Sequence, residues 1–125
     1  MDDEAPIRMM ISRLLTHIGI GDIETAADGT DAVGIYKYAR SVNRPFSAVI
    51  LDMTVPGGIG GLDVIEKLRS IDPEVKVILT SGHANAIDEP AMKERGFCAI
   101  LDKPYTLDQM RQTLLQVLDL VAEPV

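Results

Sequence analysis

Ser47-Ala48-Val49-Ile50-Leu51-Asp52, followed at 54–61 by TVPGGIGG, is the stretch that decides the fold. The first part is a nearly continuous apolar run. It has no polar face, so the strand it forms must be covered on both sides, the condition of a parallel sheet. The proline and glycines that follow stop the strand and read as loop. KVILTSG (76–82) and FCAILDKP (97–104) repeat the pattern, the second stopped by Pro104.

Helical spacing fills the intervals. Ile7, Met10, Ile11, Leu14, Leu15 and Ile18 share one helical face, with Pro6 suited to the first turn and Gly19 and Gly21 to the end. IETAA (23–27) reads as a short strand and Asp28-Gly29 as a turn. Further helices are expected through Ala32, Ile35, Tyr36 and Ala39, through Leu62, Ile65 and Leu68, over 86–95, and along the stripe from Leu107 to Val121. Alternating strands and helices without repeat or linker predict one α/β domain over 1–125, an open parallel sheet with helices on both faces.

The composition narrows the function. The chain has 125 residues, 46% hydrophobic and 25% charged, enough for one core and an ordinary globular balance. A formal net charge of −7 argues against a nucleic-acid surface and favours basic protein partners or a cation. The single cysteine, Cys98, excludes an internal disulfide and fits core packing in a reducing cytoplasm. No apolar run is long enough to span a membrane.

In an open parallel sheet, ligands bind beyond the carboxyl ends of the strands. Asp52, Thr80-Ser81 and Asp102-Lys103 all stand at such ends, and Asp2 and Asp3 precede the first helix. Carboxylates held close together raise one another's proton affinity unless a cation is present. Oxygen-only ligands of this kind suit Mg²⁺. Lys103 adds a movable point charge, and Ser81 a hydroxyl donor, for a phosphoryl oxygen. Asp52, on the most buried strand, is the natural nucleophile.

DDE at the start, LDMTVPGGIGG, LTSG and DKPY together resemble the motif set of response-regulator receiver domains, and Asp52, Ser81 and Lys103 keep that family's spacing of 29 and 22 residues. The resemblance implies a flavodoxin-like sheet of order 2-1-3-4-5. It also implies that Asp52 accepts a phosphoryl group from a phosphohistidine on a sensor histidine kinase or histidine phosphotransfer protein. Asp3, with Asp2 assisting, would hold Mg²⁺ together with Asp52 and the backbone carbonyl of Thr54. Ser81 and Lys103 would read the phosphoryl group, and Pro104 would follow a cis peptide bond. The TVPGGIGG form and short fourth helix are most similar to receivers attached to hybrid sensor histidine kinases. A homodimer is left open, and no direct membrane contact is implied.

Two departures from the family stand out. Ile100 occupies the position, three before the lysine, where diffusible receivers carry an aromatic that swings inward. The family also places a buried apolar strand before its acidic pair, between the 23–27 and 47–52 strands, and no such run precedes Asp2. The expected sheet therefore lacks strand 1. Either Met1 is internal to a longer chain, or another strand, subunit exchange or nothing fills the gap.

Plainer roles compete at each position. Asp2 and Asp3 could be helix N-terminal acids, and Ser81 could serve a local backbone group. His83 reads as a solvated loop residue, His17 as an exposed helical one, and the glycines at 57, 58, 60 and 61 as loop geometry and close helix–strand approach. Two other functions compete as well. A haloacid-dehalogenase-type phosphohydrolase wants an acid two residues after its nucleophile, where this chain has Thr54. The other is a receiver-like interaction module that takes no phosphate, a reading to which the absent strand gives some weight.

Overall fold

The computed structural model describes residues 1–53, 60–82 and 88–118. Among these, three strands form one parallel sheet in the order β1 (Val49–Asp52), β2 (Val77–Gly82), β3 (Phe97–Lys103). Their adjacency is that of the third, fourth and fifth strands of the expected order. The helices are α1 (Ala5–Ile18), α2 (Gly29–Ser41), α3 (Gly61–Ile71), α4 (Glu89–Arg95) and α5 (Leu107–Val117). Parallel neighbours require such crossovers, because a hairpin can only reverse the chain.

Side chains alternate between the two faces of the sheet. Leu51, Val77 and Leu79 pack with Tyr36 of α2 and Val64, Ile65 and Leu68 of α3. Ile50, Ile78 and Leu101 point the other way, onto Leu15 of α1 and Met110, Leu114 and Val117 of α5. β2 is buried along nearly its whole length, as an apolar run flanked on both sides must be. The ends of the helices follow local chemistry. Gly19 and Gly96 each close a helix at φ 111°, in the left-handed region. Thr106 and Gln109 form a reciprocal capping box at the start of α5.

Several expectations are corrected. IETAA (23–27) lies outside the sheet's ladders and forms no strand. The Asp28-Gly29 turn is instead the cap of α2, with the Asp28 carboxylate accepting from the Asp31 amide. Gly61 belongs to α3 rather than to the loop before it. Met10 is exposed on the flank of α1, whose buried stripe is narrower than the sequence implies. Cys98 is also exposed, on β3 at the edge of the described sheet, so it is not a core residue. His83 and Val121 lie outside the described residues.

The chain's first two residues hydrogen-bond along the free edge of β1. The Met1 ammonium donates to Ile50 O at 2.7 Å, and the Asp52 amide donates to Met1 O at 3.0 Å. Asp2 N–H donates to Ala26 O at 3.1 Å on the opposite side. Met1 and Asp2 thus bridge the 23–27 stretch and β1.

Candidate functional site

β1, β2 and β3 end at one edge, and register decides which side chains meet there. Asp52 pairs with Thr80, Thr80 with Leu101, Ser81 with Asp102 and Gly82 with Lys103. Asp52 is held by the apolar strand behind it and by its amide bond to Met1 O, and it is only 6% exposed. Gly61 lets α3 begin directly against this strand end: a Cβ there would lie 2.8 Å from Asp52 O and 3.1 Å from Leu79 Cδ1. The close helix–strand approach read from the glycines is found at that position.

Asp2 is buried, and its Oδ1 accepts from the Glu4 amide at 3.0 Å as the chain turns into α1. Arg8, on the first turns of that helix, donates to Asp2 O at 2.8 Å. Carboxylate oxygens of Asp2, Asp3 and Asp52 lie within 4.8 Å of one another, with Asp3 exposed to solvent. Lys103 reaches across from β3. Its Nζ lies 2.9 Å from Asp2 Oδ2 and 3.3 Å from Asp52 Oδ1. The Lys103-Pro104 peptide is cis.

Electrostatics follow from this crowding. Burial pushes the Asp52 carboxyl above the usual carboxylate range; Lys103 opposes the shift, while Asp2 and Asp3 add to it. Burial works against the charge on Lys103, yet the bonds and fields of Asp2 and Asp52 outweigh it and hold its pKa above the ordinary value. The Met1 ammonium is lowered to about 6, chiefly by desolvation, with Asp2 and Asp52 resisting. Three carboxylates thus crowd one point with Lys103 bonded to two of them, and an oxygen-only cluster of that kind fits a small divalent cation.

Ser81 is buried at the same edge, but its Oγ donates to Gly82 O at 3.1 Å rather than to the acids. Thr80 is buried, with a long contact of 3.5 Å to Leu51 O, in keeping with packing. Asp102 is exposed. Thr54 lies outside the described residues. Sequence reasoning missed Arg8, whose spacing from Asp2 across a helix start was the available signal. It also gave Tyr105 no role. The Tyr105 hydroxyl is buried without a hydrogen-bond partner among the described residues, and burial raises its pKa to about 12.

A three-layer α/β protein with carboxylates and one lysine converging at the carboxyl edge of a parallel sheet belongs to the class that binds its ligands at that edge. The family can be stated more closely. The profile of the response regulator receiver domain family matches residues 1–115, and the chain belongs to that family. It is a receiver domain of the kind found in two-component signalling. The chain is 27% identical to sporulation initiation phosphotransferase F of Bacillus subtilis, over 96% of its own length and 91% of that protein's. It superposes on the receiver domain of NtrX from Brucella abortus with a TM-score of 0.82 at 26% identity, covering 94% of each chain. The CheX-CheY-BeF3-Mg²⁺ complex from Borrelia burgdorferi matches with a TM-score of 0.81 at 25% identity, over 93% of this chain and 84% of that one. Other curated relatives are longer, and the chain spans 44% of one and 22% of another. Among the described residues, no helix is long and apolar enough to cross a membrane.

Proposed function

We propose that Asp52 is the phosphoacceptor of this receiver domain, served by Mg²⁺ and by Lys103. The observation that carries the proposal is the convergence of Asp2, Asp3 and Asp52 within 4.8 Å, with Lys103 bonded to two of them, at the sheet's carboxyl edge. A carboxylate oxygen of Asp52 attacks phosphorus, the bond from phosphorus to the donor imidazole breaks, and the imidazole, already protonated on its other ring nitrogen, leaves as the neutral ring with the electron pair of that bond. Phosphoryl transfer of this kind needs mainly positioning and charge stabilisation. Lys103, already beside Asp52 Oδ1, pairs with a phosphoryl oxygen. Ser81 joins it by turning its hydroxyl away from Gly82 O. Asp2, Asp3 and Asp52, with the Thr54 carbonyl, are the residues that would hold Mg²⁺. When bound, the ion neutralises carboxylate and phosphoryl charge together.

The donor in this reading is a sensor histidine kinase or histidine phosphotransfer protein, and the setting is the cytoplasm. We further read 1–125 as one receiver domain of the hybrid-kinase type that contacts neither nucleic acid nor membrane directly. Incubation with Mg²⁺ and acetyl phosphate, followed by intact-mass measurement, tests it. A single phosphoryl adduct lost in Asp52→Asn is expected. No adduct, and no beryllofluoride binding, would leave an interaction module that takes no phosphate.

A further inference from the structure

Arg8 is a cation in an unfavourable place. It follows closely on Ala5, the first residue of α1, where the partial positive charge of the helix end favours acids. That first turn holds no acid, and Glu4 supplies no side-chain cap. A local rule broken without local compensation points to a contact made beyond the helix. The contact is with the turn in front of it. The Arg8 amide donates to Glu4 O at 3.0 Å, and the Arg8 guanidinium reaches back to donate to Asp2 O at 2.8 Å. One residue thus holds both ends of the stretch Asp2-Asp3-Glu4.

We propose that Arg8 is a positioning residue for Asp3, bracing the backbone on either side of it so that its carboxylate stays at the point shared with Asp2 and Asp52. Asp2 needs no such brace for its own side chain. It is buried, its Oδ1 accepts from the Glu4 amide, and its Oδ2 accepts from Lys103. Asp3 is exposed, yet its carboxylate lies within 4.8 Å of the other two. Its direction is set chiefly by the backbone from which it hangs. Asp2 O and the Asp3 amide belong to one peptide unit, and that unit is planar. Fixing the oxygen therefore fixes the plane from which Asp3 departs. A planar guanidinium, always charged and pre-organised, suits the task better than a flexible ammonium.

The inference rests on the reading of these carboxylates as Mg²⁺ ligands and adds to it a residue that acts through the backbone. Charge and geometry predict opposite signs, which makes the role testable. A guanidinium beside a cation site repels the cation, so its removal tightens binding if charge alone matters. If Arg8 aims Asp3, its removal weakens binding.

The test is Mg²⁺ titration of the 125-residue chain and its variants, followed by amide NMR. Arg8→Met keeps an apolar stem and removes both donor and charge. Its Mg²⁺ affinity is expected to fall about tenfold or more, the usual effect of losing a group that orients a ligand. The Asp3 amide signal should shift before any ion is added. Arg8→Lys, which retains a donor, should recover part of the affinity. In an Asp3→Asn background, Arg8→Met should cost little further, because both changes act through one carboxylate. The Leu79 amide, inside β2, reports that each form is folded. Unchanged or tighter Mg²⁺ binding by folded Arg8→Met overturns the proposal, and so does full additivity of the two substitutions. Where Arg8→Met does not fold, Arg8→Lys with and without Asp3→Asn decides by the same additivity. A parent chain that binds no Mg²⁺ overturns the reading of the acidic site and the role of Arg8 with it. A parent that binds, beside a variant that binds equally, removes the role of Arg8 alone.

Discussion

Lys103 Nζ donates to Asp2 Oδ2 at 2.9 Å, joining two residues 101 positions apart in the chain. The side chain of Asp2 is 2% exposed and that of Lys103 24%, so the pair is shielded on one side and open to water on the other. It ties the last strand of the sheet to the first residues of the chain, and the lysine reaches Asp52 from the same position.

Lys103→Met removes the cation that bonds to both the Asp2 and the Asp52 carboxylates. It should destabilise the domain by about 2 kcal/mol, less than a wholly buried pair because water reaches the lysine. Mg²⁺ should recover much of the loss by replacing the missing charge. Urea unfolding with and without Mg²⁺ measures both effects; a variant as stable as the parent without the ion would contradict this electrostatic account.

Asp52→Asn should stabilise the metal-free domain at neutral pH. Burial holds the Asp52 pKa above its unfolded value, so between the two values the native state keeps a proton that the unfolded state has lost. Stability therefore falls as pH rises through that window. The variant should lack that decline, and calorimetry should find its Mg²⁺ binding lost or strongly weakened. In the parent, Mg²⁺ affinity should drop on acidification through the raised Asp52 value, since the ion competes with the proton.

Gly61→Ala places a methyl group 2.8 Å from Asp52 O, against backbone that cannot swing aside as a side-chain tip could. A cost of about 1–3 kcal/mol is expected. Because the displaced atom belongs to Asp52, the proposed phosphoacceptor, labelling by acetyl phosphate should slow as well. Amide shifts confined to α3, with unchanged labelling, would show that the site absorbs the methyl elsewhere.

Tyr36→Phe removes the 2.8 Å bond from the Tyr36 hydroxyl to Asp72 Oδ2, at a cost of about 1 kcal/mol. In the parent, burial and that bond push the Tyr36 pKa up to about 12, so stability is lost as pH rises from the ordinary tyrosine value towards it. The same bond, first among the causes, holds Asp72 below the usual carboxylate range. Its contribution is present above the unfolded carboxylate pKa and lost as pH falls through the folded one. The variant should flatten both limbs of a stability–pH curve; an unchanged alkaline limb would assign that loss to other groups.

Much of the fold was legible because its causes are local. Apolar runs at 47–52, 76–82 and 97–104 gave the strands, since a strand covered on both faces can show no alternation. Helical stripes gave α1, α3 and α5, although Met10 proved exposed. The 23–27 stretch misled because strand formation depends on a neighbour that periodicity cannot reveal. Asp52 and Lys103 were legible as strand-end polar residues, and the family resemblance bound them into one site.

The sequence by itself determined the order of elements, the apolar face each one buries and the identity of the charged groups at strand ends. Tertiary structure decided which of those groups meet. It set Asp2 rather than Asp3 deep in the cluster, turned Ser81 onto Gly82 O and exposed Cys98. Residue pattern is fixed by local covalent geometry and solvent preference. Proximity across 101 positions depends on strand register and on which edge of the sheet is covered, and those are properties of the assembled chain.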